Sequence, residues 1–364
     1  MPSLQIKLFM HSFRGGGAEK IMVRIGNELS NRGHKVELLL VENNGPYKSL
    51  VNPELRVAEI GGKNIYQIFY NLWGYLSEKN DLDVLLSTLE IPNIVSLTAS
   101  YSSNTIPVVL RIANTNSMKE RSGKYRIIPV LKKFVYPYAE SIITVSEDVA
   151  HDLPDTISQD KIVTINNPSY HSKILKLAQE PIDHDWINDP EKDVVISVGN
   201  LKPQKDYSTL IRAIRDLNQE DRRFLVILGK GNLKKDLENL AEELDVRDRI
   251  SFPGFVDNPY AYMSKSDVFV LSSAWEGFPN VVVEAMACGT PVVCTDCPGG
   301  SSDILNDGMY GTLVPVGDHH AIAEAINSML LNPTDDIELI SRAKEFSIDK
   351  ICDDYERVLI SAAN

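Results

Sequence analysis

Two periods of apolar spacing alternate along this chain. Apolar runs at 6–12, 36–41, 84–87, 107–112, 141–145 and 161–165 read as strands. Between the first two, Ala18–Arg32 puts Ile21, Met22, Ile25 and Leu29 on one helical face, and Gly33 ends it. The chain therefore opens as a strand–helix–strand unit with Phe13-Arg14-Gly15-Gly16-Gly17 as its turn. Ser146-Glu147 reads as a helix start, and Asn166-Asn167-Pro168 as a turn. Residues 171–191 are polar, hold Pro181 and Pro190, and show no period, which predicts a linker.

The alternation then restarts. Strands are expected at 194–198, 224–228, 250–252, 268–271, 291–295 and 311–315, and helices at 207–217, 233–244, 259–264, 281–288 and 319–330. Val268–Leu271 has the unbroken apolar character of a strand buried on both faces. Asn280 is placed as an N-cap, Gly289 where a C′ glycine belongs, and Pro291 as a stop. A last helix near 348–362 carries Ile351, Tyr355 and Leu359 on one face. The reading is α/β, with two parallel-sheet halves: a domain at 1–170, the linker at 171–191, a second domain at 192–345, and a terminal helix at 346–364.

At 364 residues the chain is long enough for two cores. Its net charge of −13 lies in the second half, while residues 1–170 are nearly neutral, which disfavours nucleic acid as a partner. One basic stretch stands out, with Lys119, Arg121, Lys124, Arg126, Lys132 and Lys133 among Ile127, Ile128, Val130, Leu131, Phe134, Val135 and Tyr136. It suits contact with an anionic membrane surface, or a solvated helix face, or a wall for an acidic acceptor. No secretory signal or membrane-length apolar run is visible, so a cytoplasmic protein is expected, working at the inner face of the membrane if 119–136 docks there. Of four cysteines, Cys294 and Cys297 form a C-x-x-C without the partners of a zinc site; buried thiols are expected.

The chemistry concentrates in the second domain. Glu276 sits in a loop leaving a buried strand, the place where open α/β sheets bind ligands. Glu284 follows eight residues later on the next helix, whose start suits a phosphate. Two carboxylates for hydroxyl groups around an anion site fit a sugar nucleotide; two solvated glutamates are the plain alternative. The Gly-rich first turn can admit a phosphate or sugar, or serve tight packing alone.

EGFPNVVVE, with FPGF at 252–255, SDVFVLSSAWEGFPNVVVEAMACGTPVV at 266–293 and YGTLVPVGD at 310–318, resembles the E-x7-E signature and its surroundings in retaining nucleotide-sugar glycosyltransferases of family 4. That resemblance implies the GT-B fold: two Rossmann-like domains facing a cleft, an acceptor side at 1–170 and a donor side at 192–345, with the C-terminal helix crossing back to the first domain. It implies Glu276 on donor-sugar hydroxyls, Glu284 on ribose, and Lys205 on the diphosphate of a UDP- or GDP-linked donor. It also implies backbone contacts from Phe278, Pro279, Asn280 and Val281, a base-proximal turn at Gly229 and Gly231, and an N-terminal motif at Gly16 and Gly17. No metal or other cofactor is implied, and the acceptor would be a glycan or lipid-linked hydroxyl.

Two positions depart from the family pattern. Asn200 stands where the family carries arginine, and Ala113 stands at about the place of a histidine, with Arg111 or Asn114 as substitutes for acceptor contact. They keep open the reading of a non-catalytic sugar-nucleotide binder; an epimerase of the same fold is a second enzyme reading.

Overall fold

The computed structural model describes residues 3–14, 17–78, 82–103, 106–114, 128–217 and 222–364. The chain divides into two compact units, Met1–Pro168 with Ile348–Asn364, and Ser169–Ser347.

The first unit is built on a seven-stranded parallel sheet: β1 (Gln5–Ser12), β2 (Lys35–Glu42), β3 (Arg56–Glu59), β4 (Val84–Thr88), β5 (Val108–Ile112), β6 (Ser141–Thr144) and β7 (Ile162–Thr164). Their order is β3-β2-β1-β4-β5-β6-β7. Leu8 at the centre pairs with Leu38 on one side and Leu86 on the other, all three without exposure. Burial of each such side chain is worth about 1.5–3 kcal/mol, which fixes the register. Helices α1 (Gly17–Asn31), α2 (Ile65–Ser77), α3 (Glu90–Ser102), α4 (Ile128–Val135) and α5 (Glu147–His151) flank it.

The C-terminal helix, Ile348–Ala363, belongs to this unit. Ile351, Tyr355 and Leu359 join the core formed by β1, β2 and α1. Its Glu356 accepts from Arg32 at 2.9 Å and faces the buried His34 Nε2 at 3.0 Å. The other ring nitrogen of His34 accepts from Leu4 N–H at 3.2 Å, so Nε2 carries the proton and donates.

The second unit has a six-stranded parallel sheet: β8 (Asp193–Val198), β9 (Arg223–Leu228), β10 (Ile250–Gly254), β11 (Val268–Leu271), β12 (Val292–Thr295) and β13 (Thr312–Val314), in the order β10-β9-β8-β11-β12-β13. Its helices are α6 (Lys173–Ala178), α7 (Tyr207–Asp216), α8 (Lys234–Glu243), α9 (Pro259–Met263), α10 (Asn280–Ala287), α11 (Ser301–Leu305), α12 (His319–Leu331) and α13 (Asp336–Lys344). In both sheets the chain leaves the first strand to one side and returns on the other, the order of doubly wound folds.

The structure corrects the expected linker. Within 171–191, Lys173–Ala178 is helical and Ile174 is fully buried. Asn258 and Ser264 donate to the carbonyls of Leu177 and Ala178, tying this stretch into the second unit. Asn280 is also not a cap: it is the first residue of α10, behind Pro279, and its side-chain oxygen accepts from the Ser169 hydroxyl at 2.7 Å. Gly289 has φ +76° just past the Cys288 cap, as a C′ glycine should.

Candidate functional site

The order of the second sheet makes β8 and β11 neighbours whose outgoing loops run in different directions. That switch point is where a crevice opens at the strand ends. The loop after β8 delivers Lys205. A short 3₁₀ turn, Pro203–Lys205, is followed by Asp206 at φ +41°, whose carboxylate accepts from Thr209 N–H and Oγ1 and so caps α7. The loop after β11 delivers Glu276, which is 8% exposed.

These two side chains meet. Lys205 Nζ lies 2.6 Å from Glu276 Oε1. The same oxygen accepts from Ser273 Oγ at 2.6 Å, while Gln204 Nε2 approaches Oε2 at 3.3 Å and donates to Trp275 O at 2.9 Å. The two loops are also joined by Ala274 N–H donating to Gln204 O and Ser272 Oγ to Lys205 O, while Glu276 N–H donates to Pro298 O in the loop after β12, each at 2.8 Å. The carboxylate is therefore held in one orientation by three side chains and a fixed loop. Ser273 and Gln204 were not singled out in the sequence. Gln204 directly precedes Lys205, and Ser273 lies three residues before Glu276 in the same loop.

Helix α10 begins four residues after Glu276, so its N-terminal dipole end lies beside this carboxylate's loop. The expected row of amides at 278–281 is shorter than foreseen. Pro279 has no N–H, and that of Asn280 donates to Phe278 O at 2.9 Å, leaving those of Phe278 and Val281. Phe278 is buried and packs its ring against Phe346, with centroids 5.7 Å apart.

Glu284, one turn into α10, is half-buried. Its Oε1 accepts from Tyr260 Oη at 3.3 Å, and the same hydroxyl lies 3.4 Å from His171 Nε2. Tyr260 and His171 thus orient Glu284, a contribution the sequence did not reveal because they come from α9 and from the stretch expected as linker. Asn200 is exposed on the loop after β8.

Gly229 and Gly231 hold that loop against its neighbour. A Cβ on Gly229 (φ +151°) would lie 1.9 Å from Gly199 O, and one on Gly231 would lie 2.2 Å from Leu201 O. Glycine is required at both for the loops after β8 and β9 to touch. Gly17 opens α1, and Gly16 lies outside the described residues.

Cys294 and Cys297 are buried and unbridged behind the Glu276 loop. Burial, reinforced by neighbouring negative charge, pushes Cys297 up to about 11 and Cys294 well above the usual thiol range. Both stay protonated at neutral pH, in keeping with the buried thiols expected from the sequence.

The first unit corrects two expectations. Arg111 is fully buried and cannot take an acceptor contact: Nε donates to Tyr355 Oη at 3.0 Å, Nη1 to Thr88 Oγ1 at 3.3 Å, and Nη2 to Asn167 Oδ1. It fastens β5 to the C-terminal helix. In the basic stretch, residues 119–127 lie outside the described residues. Within the remainder, Lys132 is buried, pairs with Glu90 at 2.8 Å and lies over the Tyr136 ring, which is itself fully buried. Neither can meet a membrane. Val130, Lys133 and Phe134 are the exposed members. Among the described residues no helix is long and apolar enough to cross a membrane.

Comparison with known proteins agrees with this geometry. Residues 179–346 match the family described as "Glycosyl transferases group 1", and residues 15–169 match "Glycosyltransferase Family 4". The chain is 28% identical, over 98% of its length and 99% of the relative's, to N-acetylgalactosamine-N,N'-diacetylbacillosaminyl-diphospho-undecaprenol 4-alpha-N-acetylgalactosaminyltransferase of Campylobacter jejuni. It is 25% identical, over 96% and 98%, to the lipopolysaccharide core biosynthesis glycosyltransferase LpsE of Rhizobium meliloti. Anabaena Alr3699/HepE, solved in complex with UDP, superposes with a TM-score of 0.80 at 20% identity, covering 98% of this chain and all of that one. The lipopolysaccharide outer core galactosyltransferase WaaB superposes with a TM-score of 0.79 at 18% identity, covering 98% and 99%. The chain belongs to the group 1/family 4 glycosyltransferases and has their two-sheet GT-B architecture.

Proposed function

We propose that this glycosyltransferase moves a sugar from a UDP- or GDP-linked donor to a hydroxyl of a glycan or lipid-linked acceptor, retaining the anomeric configuration and using no metal in the reaction. The observation that carries the proposal is the Lys205–Glu276 pair at the switch point of the second sheet, beside the start of α10. With no donor bound, the cation and the carboxylate neutralise each other. A diphosphate gives Lys205 a second anionic partner, and Glu276 is then available to accept hydrogen bonds from sugar hydroxyls. As the bond to the leaving diphosphate lengthens, Lys205 and the α10 dipole face the charge that develops on it. The acceptor hydroxyl attacks from the same face, so positioning and electrostatics provide the catalysis rather than a protein nucleophile. Glu284, oriented by Tyr260, accepts from the ribose hydroxyls. Asn200 contributes a neutral donor where a guanidinium would add charge.

The relatives support the substrate classes. The Campylobacter jejuni enzyme's name places its acceptor on diphospho-undecaprenol, the Rhizobium meliloti protein's places it in lipopolysaccharide core synthesis, and the Anabaena protein has been solved with UDP-glucose. A lipid-linked acceptor puts the work at the cytoplasmic face of a membrane, and exposed Val130, Lys133 and Phe134 suit contact there. The test is a panel of UDP- and GDP-sugars scored for thermal stabilisation, followed by donor hydrolysis in EDTA. One nucleotide-sugar should raise the melting temperature and be hydrolysed without added metal. Failure of every member to bind would sink the proposal.

A further inference from the structure

We propose that Asp216, His319 and His320 form a binding site for a borderline transition-metal ion of the zinc and nickel class, clipping the end of α7 to the start of α12. Nothing in the transfer reaction uses these residues. Asp216 lies nine residues along α7 from Tyr207, about 14 Å down the helix axis from the Lys205 end.

The geometry points to a cation. His319 Nδ1 hydrogen-bonds Asp216 Oδ2, and His320 Nδ1 lies 2.9 Å from that same oxygen. The two rings stand with centroids 4.2 Å apart at 44°. Two imidazole nitrogens thus converge on one carboxylate oxygen. Asp216 does not need both for charge balance, because Arg215 already donates to its other oxygen, from Nη2 at 2.8 Å and Nε at 3.1 Å. Among the described residues this is the one group of three His, Cys, Asp or Glu side chains whose ligand atoms all lie within 4.8 Å of one another.

A tetrahedral ion with bonds of about 2.0–2.2 Å holds its ligand atoms roughly 3.3 Å apart, so both imidazole rings turn slightly away from Asp216 Oδ2 to admit it. That ring is largely exposed, so the ion reaches the site from solvent and water completes its coordination. Two imidazoles and one carboxylate favour zinc, nickel or copper over magnesium or calcium, which want oxygen. The role that follows is a local staple: α7 and α12 both pack into the core of the second unit through Leu210, Ile214, Ile322 and Ile326, and the ion would join them at the surface end of that contact.

The test is titration of the full, tag-free, chelator-treated chain with ZnCl2, NiCl2 and MgCl2 by calorimetry, with melting curves alongside. The expected result is one zinc or nickel ion per chain and no magnesium. At about 100-fold excess over Kd the melting temperature should rise by roughly 5–10 °C. His320→Ala, on an exposed ring, and Asp216→Asn should each weaken binding at least tenfold. If Asp216→Asn melts early without metal, His320→Ala alone decides. No saturable zinc or nickel binding up to roughly 100 μM metal, or binding that either folded variant leaves within tenfold of wild type, overturns the site.

Discussion

Replacing Lys205 by Met should destabilise the second unit even with no substrate present. Lys205 and Glu276 are 16% and 9% exposed at the side chain and lie 2.6 Å apart. Removing the cation leaves a buried carboxylate with two neutral partners, the Ser273 hydroxyl and the Gln204 amide. Breaking a buried pair from one side costs about 3–5 kcal/mol. The two remaining donors and the partial access of solvent put the expectation at the lower end, about 3 kcal/mol. For a unit spanning 169–347, each kcal/mol moves the midpoint by about 2–4 °C, so a drop of roughly 6–12 °C is expected by calorimetry. Adding Glu276→Gln should recover part of the loss, because the unpaired charge is then gone and an amide can still meet Ser273 and Gln204. A single variant melting within about 2 °C of wild type, or a double variant whose loss is the full sum of both singles, would refute the pairing as described.

Glu284→Ala should weaken binding of the nucleoside diphosphate itself about tenfold or more, whereas Glu276→Ala should spare it and lower turnover; equal nucleotide affinity for wild type and Glu284→Ala, by calorimetry, would be incompatible with a ribose contact. Arg111→Met should destabilise the first unit by about 3 kcal/mol or more, since it removes the donor to the buried Tyr355 hydroxyl and to Asn167 Oδ1, while leaving nucleotide affinity unchanged; a normal melting temperature with altered acceptor kinetics would restore a substrate role. Burial works to raise the Glu356 carboxyl, but hydrogen bonds from Arg32 and His34 outweigh it and hold it below the usual carboxylate range. Its folded value is thus below its unfolded one, so its stabilisation is present at neutral pH and fades as pH falls below about 4.3. The melting-temperature gap between wild type and Glu356→Gln should be constant from pH 7 to about 5 and shrink below that; a gap that widens in acid would contradict the network.

How much of this was legible in the sequence differs by element. The strands were, apart from β3, whose four residues RVAE carry no apolar run and none of which is buried, because parallel strands buried on both faces write unbroken apolar runs such as Val268–Leu271, all four residues of which are buried. The last helix announced its face through Ile351, Tyr355 and Leu359, which the structure buries. Helices α3 and α13 were not foreseen: α3 is crowded with Ser, Thr and β-branched residues, and its helical state depends on packing against its neighbours. The segment 171–191 looked like a linker because a six-residue helix is too short to show a period, and what holds it is hydrogen bonding from Asn258 and Ser264, some 80 residues away in sequence. In the site, Glu276 and Glu284 stood out by their places in the loop and the helix, and Lys205 only through the family resemblance. Their orienting partners did not, because Ser273, Gln204, Tyr260 and His171 become partners only through the sheet order. Arg111 misled for a related reason: an arginine two residues before Ala113, where the resembled family carries a histidine, reads as functional until its three buried acceptors are seen.

The most direct test of the transfer chemistry follows the first product formed. Wild-type protein in EDTA, given the best-binding α-linked nucleotide-sugar and its acceptor or water, should be watched by proton NMR at the anomeric signal. The expected result is an α-configured sugar product appearing first, without added metal, and at least a hundredfold more slowly with Lys205→Met, where about 2.7–4 kcal/mol of charge stabilisation is lost. A β-configured first product, or release that begins only when a divalent metal is restored, would contradict it.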